Sequence, residues 1–220
     1  MPHGVFKLIV LISGNGSNLQ AIIDAIHQDK LDATISAAIS DRPGAFGLTR
    51  AAKAGIPNHV IDYKQFSDRT AFDKALMQQI DAYQPDLIVL AGFMRILTAD
   101  FVQHYLGRMI NIHPSLLPKY HGLYTHRRVL EAGDAEHGAS VHYVTPELDS
   151  GPIILQARVP VLPSDTAESL QQRVHQAEHQ IYPAAIQLIA SGQVTFRNNQ
   201  VYYQDKPIQD PQREYPVELH

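Results

Sequence analysis

"FKLIVLISGNGSNLQAIIDAI", residues 6–26, joins a strand pattern to a helix pattern through a pair of glycines. It opens with a short apolar run of the kind found in buried parallel strands and closes with apolar residues at helical spacing. Gly14 and Gly16 lie between the two patterns. A strand, a glycine loop and a helix N-terminus in this order commonly bind phosphate, because glycine permits positive φ and helix amides attract anions. We therefore predict a phosphate-binding loop after the first strand.

The glycine pattern leaves three interpretations of this loop open. A dinucleotide fingerprint requires a small residue where Leu19 stands, and Asp41 would have to bind the ribose. A single phosphate needs only the amides of Gly16, Ser17 and Asn18 at the positive end of the helix. In the third interpretation the loop is an ordinary turn, and Ser17 or Asn18 caps the helix. The missing third glycine favours one phosphate over a dinucleotide.

Strand and helix patterns alternate along the first half of the chain. Strands are predicted over 6–13, 33–40, 60–62, 86–91 and 108–112, and helices over 46–54, 69–83 and 99–106. Strands separated by helices pair in parallel through right-handed crossovers. Beyond Gly138 we expect two consecutive strands, a helix over 167–189 and a hairpin turning at Asn198–Asn199. The prediction is an α/β fold, with a doubly wound, mostly parallel sheet, helices on both faces and a C-terminal hairpin.

The composition argues against several classes of protein. A chain of 220 residues with 45% hydrophobic and 18% charged residues suits one domain spanning 1–220. No run approaches the roughly 20 apolar residues of a transmembrane helix, and no secretory cleavage signal follows the N-terminus. The absence of cysteine excludes disulfides, thiolate zinc sites and a cysteine nucleophile. A net charge of -4 without a Lys/Arg block argues against a nucleic-acid partner.

Four polar loops begin where predicted parallel strands end: "SGNGSN", "SDRPGA", "AGFMRIL" and "NIHPSLLP". Ligands of open α/β sheets bind along this edge. Asn111 and His113 project to the same side of their strand, which Pro114 ends. An amide and an imidazole projecting together suit an oxyanion, and Asp149 in "ELDSGP" is a carboxylate that could orient the imidazole. The alternative is that these residues only bond loop backbone.

Five segments, "ISGNGSNLQAII", "AGFMRIL", "NIHPSLLPKY", "GASVHYVTPELDSGPIIL" and "EHQIYP", strongly resemble the phosphoribosylglycinamide formyltransferase family over about residues 6–183. The resemblance implies a Rossmann-like formyltransferase fold. It also implies formyl transfer from 10-formyltetrahydrofolate to the amine of 5-phosphoribosylglycinamide in de novo purine biosynthesis, without a metal. The phosphate would then be the substrate's own. The implied halves are phosphate-binding (about 1–107) and catalytic and folate-binding (about 108–190), with a hairpin and tail over 191–220.

The resemblance also assigns roles to individual residues. It implies catalysis by Asn111, His113 and Asp149, phosphate binding by Gly16, Ser17 and Asn18, substrate binding by Glu178, and folate binding by Arg69, Met94, Arg95, Ile96, Leu97, Asn111 and Thr145. For Met94, Ile96 and Leu97 the alternative is a place in the core. His121, Tyr124 and Pro146 depart from the residues usual in the family, which leaves the conformation of their loops open.

Rival functions remain at this stage. Formyltetrahydrofolate hydrolase, with water as acceptor, shares the "HPSLLP" core, but we expect no room here for its N-terminal regulatory domain. Methionyl-tRNA formyltransferase would need a basic surface. A non-catalytic folate or nucleotide sensor and a nicotinamide oxidoreductase are further alternatives, and "HQAEH" at His175–His179 has the order of some zinc peptidases. We expect small-molecule substrates and a cytoplasmic location. The oligomeric state, a homodimer included, is left open.

Overall fold

The computed structural model describes residues 4–208 and 215–217. Its main sheet has seven strands in the order β3-β2-β1-β4-β5-β6-β7. These strands are β1 Lys7–Ile12, β2 Thr34–Ser40, β3 Asn58–Val60, β4 Leu87–Leu90, β5 Met109–His113, β6 Glu136–Tyr143 and β7 Ile153–Pro160. The helices are α1 Ser17–His27, α2 Phe46–Lys53, α3 Arg69–Asp81, α4 Ala99–His104, α5 Thr125–Ala132 and α6 Ala167–Ala190.

The strand pairing confirms the predicted fold class. β1 pairs in parallel with β2 and β4, and β2 pairs in parallel with β3. β6 and β7 are consecutive and antiparallel, as the change of pattern after Gly138 indicated. A second sheet at the C-terminal end has the order β10-β9-β8, formed by β8 Val194–Arg197, β9 Gln200–Tyr203 and β10 Lys206–Pro207. The predicted turn at Asn198–Asn199 joins β8 to β9.

The burial of β1 matches its interior position in the seven-stranded sheet. Leu8 to Ile12 are all fully buried, and the strand has a hydrogen-bonded neighbour on each side. A strand covered on both faces needs a continuous apolar run, and this one has it. The apolar stripe of α1 is likewise buried at Leu19, Ile22 and Ile23.

Four elements of secondary structure were placed wrongly or missed. The third strand is Asn58–Val60 and begins two residues earlier than predicted. Its pairing with β2 starts directly after Pro57, at residues that are too polar to give an apolar strand pattern. Helix α5 was not predicted at all. The helix is short and mostly polar, and only Thr125 and Val129 of it are buried, so no apolar run marks it in the sequence. The short 3-10 helix Tyr63–Gln65 and strand β10 were also missed.

The chain divides into two compact units, Met1–Ile110 and Asn111–His220. The first contains β1 to β4 with α1 to α4, and the second contains β6 to β10 with α5 and α6. In the second unit α6 packs against β6 and β7, and its N-terminus is closed by a capping box between Thr166 and Ser169. The prediction of one domain, with halves meeting near residue 107, stays a prediction. Across the described ranges, no helix is both long and apolar enough to cross a membrane.

Candidate active site

The glycine loop, residues 13–18, lies in the first unit and leads into α1. Gly16 precedes the helix with φ 73°, and no side chain caps it. The interpretation of Ser17 or Asn18 as an N-cap is therefore wrong: Gly16 takes that position in a left-handed conformation that glycine adopts without strain. The first amides of an α-helix lack intrahelical acceptors, so the loop ends on donors suited to an anion.

The segment after β4, residues 91–97, lies directly beside the glycine loop. The amide of Ser13 donates to the carbonyl of Gly92 at 3.2 Å, and the Ser13 hydroxyl oxygen accepts from the amide of Met94 at 2.8 Å. Met94 and Ile96 are 60% and 66% exposed, so neither belongs to the core. Two large apolar side chains in solvent beside a polar loop suit a flat organic ligand.

Two arginines predicted to bind folate border this segment. Arg69 is exposed, and its Nη1 lies 3.5 Å from the carbonyl oxygen of Ile96. Arg95 is held from two sides: its Nε donates to Oδ2 of Asp41 at 2.6 Å, and its guanidinium lies 4.0 Å from the centre of the Tyr63 ring. Because the Asp41 carboxylate is fully buried and paired, it is not placed to bind a ribose. The dinucleotide interpretation therefore loses its acidic residue.

The three residues predicted to be catalytic lie together in the second unit. Asn111 and His113 alternate along β5 and so project to one side. Oδ2 of Asp149 lies 3.5 Å from Nδ1 of His113, and both side chains are less than a tenth exposed. The same carboxylate oxygen accepts from the amide of Gly122 at 2.9 Å. Asp149 reaches this position from a left-handed backbone conformation, with φ 51°.

Both ring nitrogens of His113 face oxygen acceptors. Nε2 donates to the carbonyl of Tyr120 at 2.9 Å, and Nδ1 faces the carboxylate of Asp149. A neutral imidazole has one nitrogen without hydrogen, which would oppose one of these oxygens. Only an imidazolium carries hydrogen on both nitrogens and could donate to both oxygens.

His142 orients the side chain of Asn111, a role that the sequence did not reveal. Nδ1 of His142 donates to the carbonyl of Tyr143 at 2.9 Å, which leaves Nε2 as an acceptor for Nδ2 of Asn111 at 3.4 Å. Burial is the largest cause that lowers the pKa of His142, to about 4, so its ring is neutral near pH 7. This hydrogen bond uses one of the two N–H groups of the Asn111 side-chain amide, so the other can donate to a ligand. No local signal distinguished His142, because β6 also carries the buried polar residues His137 and Ser140.

The segment that departs from the usual family residues contacts the Asp149 loop. His121 donates from Nδ1 to the carbonyl of Leu148 at 3.2 Å, beside the bond from Gly122 to Asp149. Tyr124 is 76% exposed and precedes α5 with φ 59°. His121 therefore adds a side-chain link from this segment to the loop that carries Asp149.

Thr145 and Glu178 take less direct positions in the second unit. Thr145 is half-buried, and its hydroxyl donates locally to the carbonyl of Glu147 at 3.4 Å. Glu178 is buried on α6, where its charge adds to burial in raising the pKa of Tyr182.

The rings of His175 and His179 lie 6.4 Å apart. Within the described part of the chain, no cluster of three or more His, Cys, Asp or Glu could hold a metal, so the zinc-peptidase interpretation finds no third ligand.

With this geometry in place, comparison with known proteins identifies the class. Residues 6–186 match the family described as formyl transferase, and the chain belongs to this family. It is 55% identical over 193 residues to the phosphoribosylglycinamide formyltransferase of Escherichia coli (strain K12), covering 88% of this chain and 91% of that protein. The Haemophilus influenzae enzyme of the same name is 46% identical over 202 residues, covering 92% and 95%.

A solved structure gives the same result for the fold. Phosphoribosylglycinamide formyltransferase from Coxiella burnetii superposes with a TM-score of 0.92 at 54% identity, covering 97% of this chain and 100% of that one. The predicted family, fold class and enzyme class are thus confirmed. The roles of the individual residues stay predictions.

Proposed function

We propose that this chain transfers a formyl group from 10-formyltetrahydrofolate to the amine of 5-phosphoribosylglycinamide. The products are the formylated nucleotide and tetrahydrofolate, and the step belongs to de novo purine biosynthesis. The observation that carries the proposal is the buried pair of His113 and Asp149 beside Asn111. Relatives with this activity in their names match the chain over most of their own length, which supports the transferase over the hydrolase.

The reaction needs stabilisation of an oxyanion and movement of one proton. The lone pair of the substrate amine attacks the formyl carbon, and the carbonyl electrons move onto the formyl oxygen. The second N–H of Asn111 and the positive charge of His113 stabilise this oxyanion, and each oxyanion-hole donor is typically worth about 10²–10³ in rate. Asp149 stabilises the imidazolium through the transfer. When the tetrahedral intermediate collapses, its bond to the folate nitrogen breaks, and that nitrogen gains the proton that the amine loses.

The glycine loop binds the 5-phosphate of the substrate in this proposal. Gly16, Ser17 and Asn18 would supply backbone amides at the positive end of α1. The left-handed Gly16 and the absence of a side-chain cap at the start of α1 support this role, because amides at the positive end of a helix attract anions. Glu178 would contact the substrate from α6.

The residues proposed to bind folate are Arg69, Met94, Arg95, Ile96, Leu97, Asn111 and Thr145. The exposed side chains of Met94 and Ile96 support an apolar contact with the ring system. The arginines supply positive charge for an anionic part of the co-substrate. No metal takes part in the proposed chemistry.

An acceptor comparison tests the proposal. Purified protein is supplied with 10-formyltetrahydrofolate and either 5-phosphoribosylglycinamide or water alone, and tetrahydrofolate formation is followed. We expect rapid turnover only with the amine, and the formylated nucleotide in equal amount. Equal rates with and without the amine would indicate a hydrolase. Folate binding without turnover under either condition would indicate a non-catalytic binding protein.

The proposal extends to the cellular location and the oligomeric state of the protein. We place the protein in the cytoplasm, because its phosphorylated substrate is charged and does not cross membranes freely. For the oligomeric state we propose a homodimer, which light scattering at several concentrations separates from a monomer.

A further inference from the structure

We propose that Gly47 and Arg50, both on α2, are positioning residues that hold the glycine loop in its anion-binding conformation. The inference rests on the proposed role of that loop in binding the substrate phosphate. Neither residue belongs to the set predicted from the sequence. They would act through the loop without touching the substrate.

Gly47 lets α2 approach the loop closely. A Cβ added to Gly16 would lie 2.6 Å from Cα of Gly47, and one added to Gly47 would lie 3.2 Å from Cα of Gly16 and 2.6 Å from Cδ1 of Ile12. The amide of Gly47 also donates to the carbonyl of Gly14 at 3.0 Å. Two backbones at this distance leave no room for side chains. The conformation of the loop therefore depends on glycine at both positions.

Arg50 attaches α2 to the tip of the loop. Nε donates to the carbonyl of Asn15 at 3.0 Å, Nη2 donates to Oδ1 of the same residue at 3.1 Å, and Nη1 donates to Oε1 of Gln20 on α1 at 3.3 Å. One planar guanidinium thus binds the loop and the helix that follows it. Asn15 itself is exposed, so these bonds restrict a residue that packing alone would not hold.

Phe46 helps to fix the guanidinium in turn. The Arg50 guanidinium lies 4.9 Å from the centre of the Phe46 ring, a distance typical of a cation–π contact. The aromatic contact and the three donated hydrogen bonds together fix the plane of the Arg50 guanidinium. A lysine keeps the charge but cannot reproduce this geometry, because its ammonium is a point donor on a flexible stem.

Orientation matters here because an anion site made of amides works only when the amides already point at the anion. A loop that samples other conformations lowers the apparent affinity by the fraction of time it is incompetent. The loss falls on phosphate binding, whereas the chemistry at the formyl group is unaffected. Arg50 also adds positive charge near the loop, so the two contributions have to be separated by substitution.

The test compares Arg50→Lys with Lys53→Met. Lys53 is an exposed residue at the end of the same helix, so its substitution removes a charge without disturbing the hydrogen bonds of the Arg50 guanidinium. Inorganic phosphate is titrated as a competitive inhibitor against 5-phosphoribosylglycinamide, and its binding is also followed by NMR on the amide of Ser17. For Arg50→Lys we expect phosphate affinity to fall about tenfold, KM for the nucleotide to rise about as much, and kcat to stay within about twofold. KM for folate should be unchanged, and Lys53→Met should match wild type throughout.

Gly47→Ala gives an independent check on the backbone contact. It should weaken phosphate binding as well, since its Cβ meets the Cα of Gly16. Thermal melts establish that each variant is folded, and if Gly47→Ala does not fold, Arg50→Lys alone decides. Equal phosphate affinity in wild type and Arg50→Lys would overturn the inference, as would a loss in kcat without a change in KM. The phosphate titration followed by NMR does not depend on turnover, so an absence of formyl transfer by wild type would refute the proposed function alone.

Discussion

The Asp149 carboxylate lies 3.5 Å from Nδ1 of His113, and both side chains are more than nine-tenths buried. The pair is not isolated, because the Tyr120 carbonyl and the Gly122 amide bind its two ends. A buried carboxylate gains from a cationic neighbour, and an imidazolium gains from two acceptors. An imidazolium at His113 would therefore be stabilised from both ends, beside the place where the proposed oxyanion would form.

Replacing Asp149 by Asn should lower kcat by about 10²–10³, because the imidazolium loses its counter-charge. Asn is the suitable replacement, since it tolerates the left-handed conformation of this residue and keeps an acceptor for the Gly122 amide. Single-turnover formyl transfer measures the effect. His113→Ala should be at least as damaging.

Thermal unfolding of both variants serves as the control, and it should remain cooperative. Rates within about threefold of wild type would remove His113 and Asp149 from the catalytic role proposed for them.

His142→Leu should reduce kcat by about tenfold, because Asn111 loses the acceptor that sets the direction of its amide. Substrate KM should change less, since His142 is a positioning residue. The matched control is His104→Leu, at a histidine that is 42% exposed on α4. If the two substitutions had equal effects on kcat, the orienting role of His142 would have no support.

Acid should destabilise the protein through the half-buried His126 and the buried His137 and His142. Burial is the main cause that lowers the pKa of His126 to about 4, of His137 to about 3 and of His142 to about 4. Because these values lie below the ordinary histidine pKa near 6.5, the unfolded chain binds more protons between pH 6.5 and about 4. The contribution of these histidines to the free energy of unfolding is therefore fully present above pH 6.5, and it is lost as the pH falls toward 4.

Urea unfolding at pH 7.5 and pH 4.5 measures this loss. His142 alone should contribute about 2–3 kcal/mol, and the other two histidines act in the same direction. In the His137→Asn variant the difference between the two pH values should shrink. A free energy of unfolding that does not change over this range would contradict the prediction.

Arg95→Met should destabilise the protein by about 3 kcal/mol, because it leaves the fully buried carboxylate of Asp41 without its closest cation. Asp41→Asn should cost less, since Arg95 is 27% exposed and water can solvate its freed guanidinium. Combining the two changes should recover part of the loss from Arg95→Met. Urea unfolding of the three variants measures the coupling, and strict additivity would show that the two side chains do not depend on each other.

Much of the fold could be predicted because its signals are local. The apolar run of β1, the glycines after it and the stripe of α1 are contiguous, so short-range patterns describe them well. The hairpin turn was predictable for the same reason: Asn198 and Asn199 both adopt positive φ, at 51° and 58°, as two-residue hairpin turns require. Helix α5 and strand β3 escaped prediction because neither buries a continuous apolar pattern.

By itself, the sequence determined that Asn111 and His113 share one side of a strand, because alternation along a strand is a local property. It also indicated a glycine loop between the first strand and the first helix. Only the tertiary structure decided that Asp149 faces His113, that His142 directs Asn111, and that Arg50 holds Asn15. Those contacts join residues about 30 to 36 positions apart, and the folding of strands and loops between them sets distances that no local pattern contains.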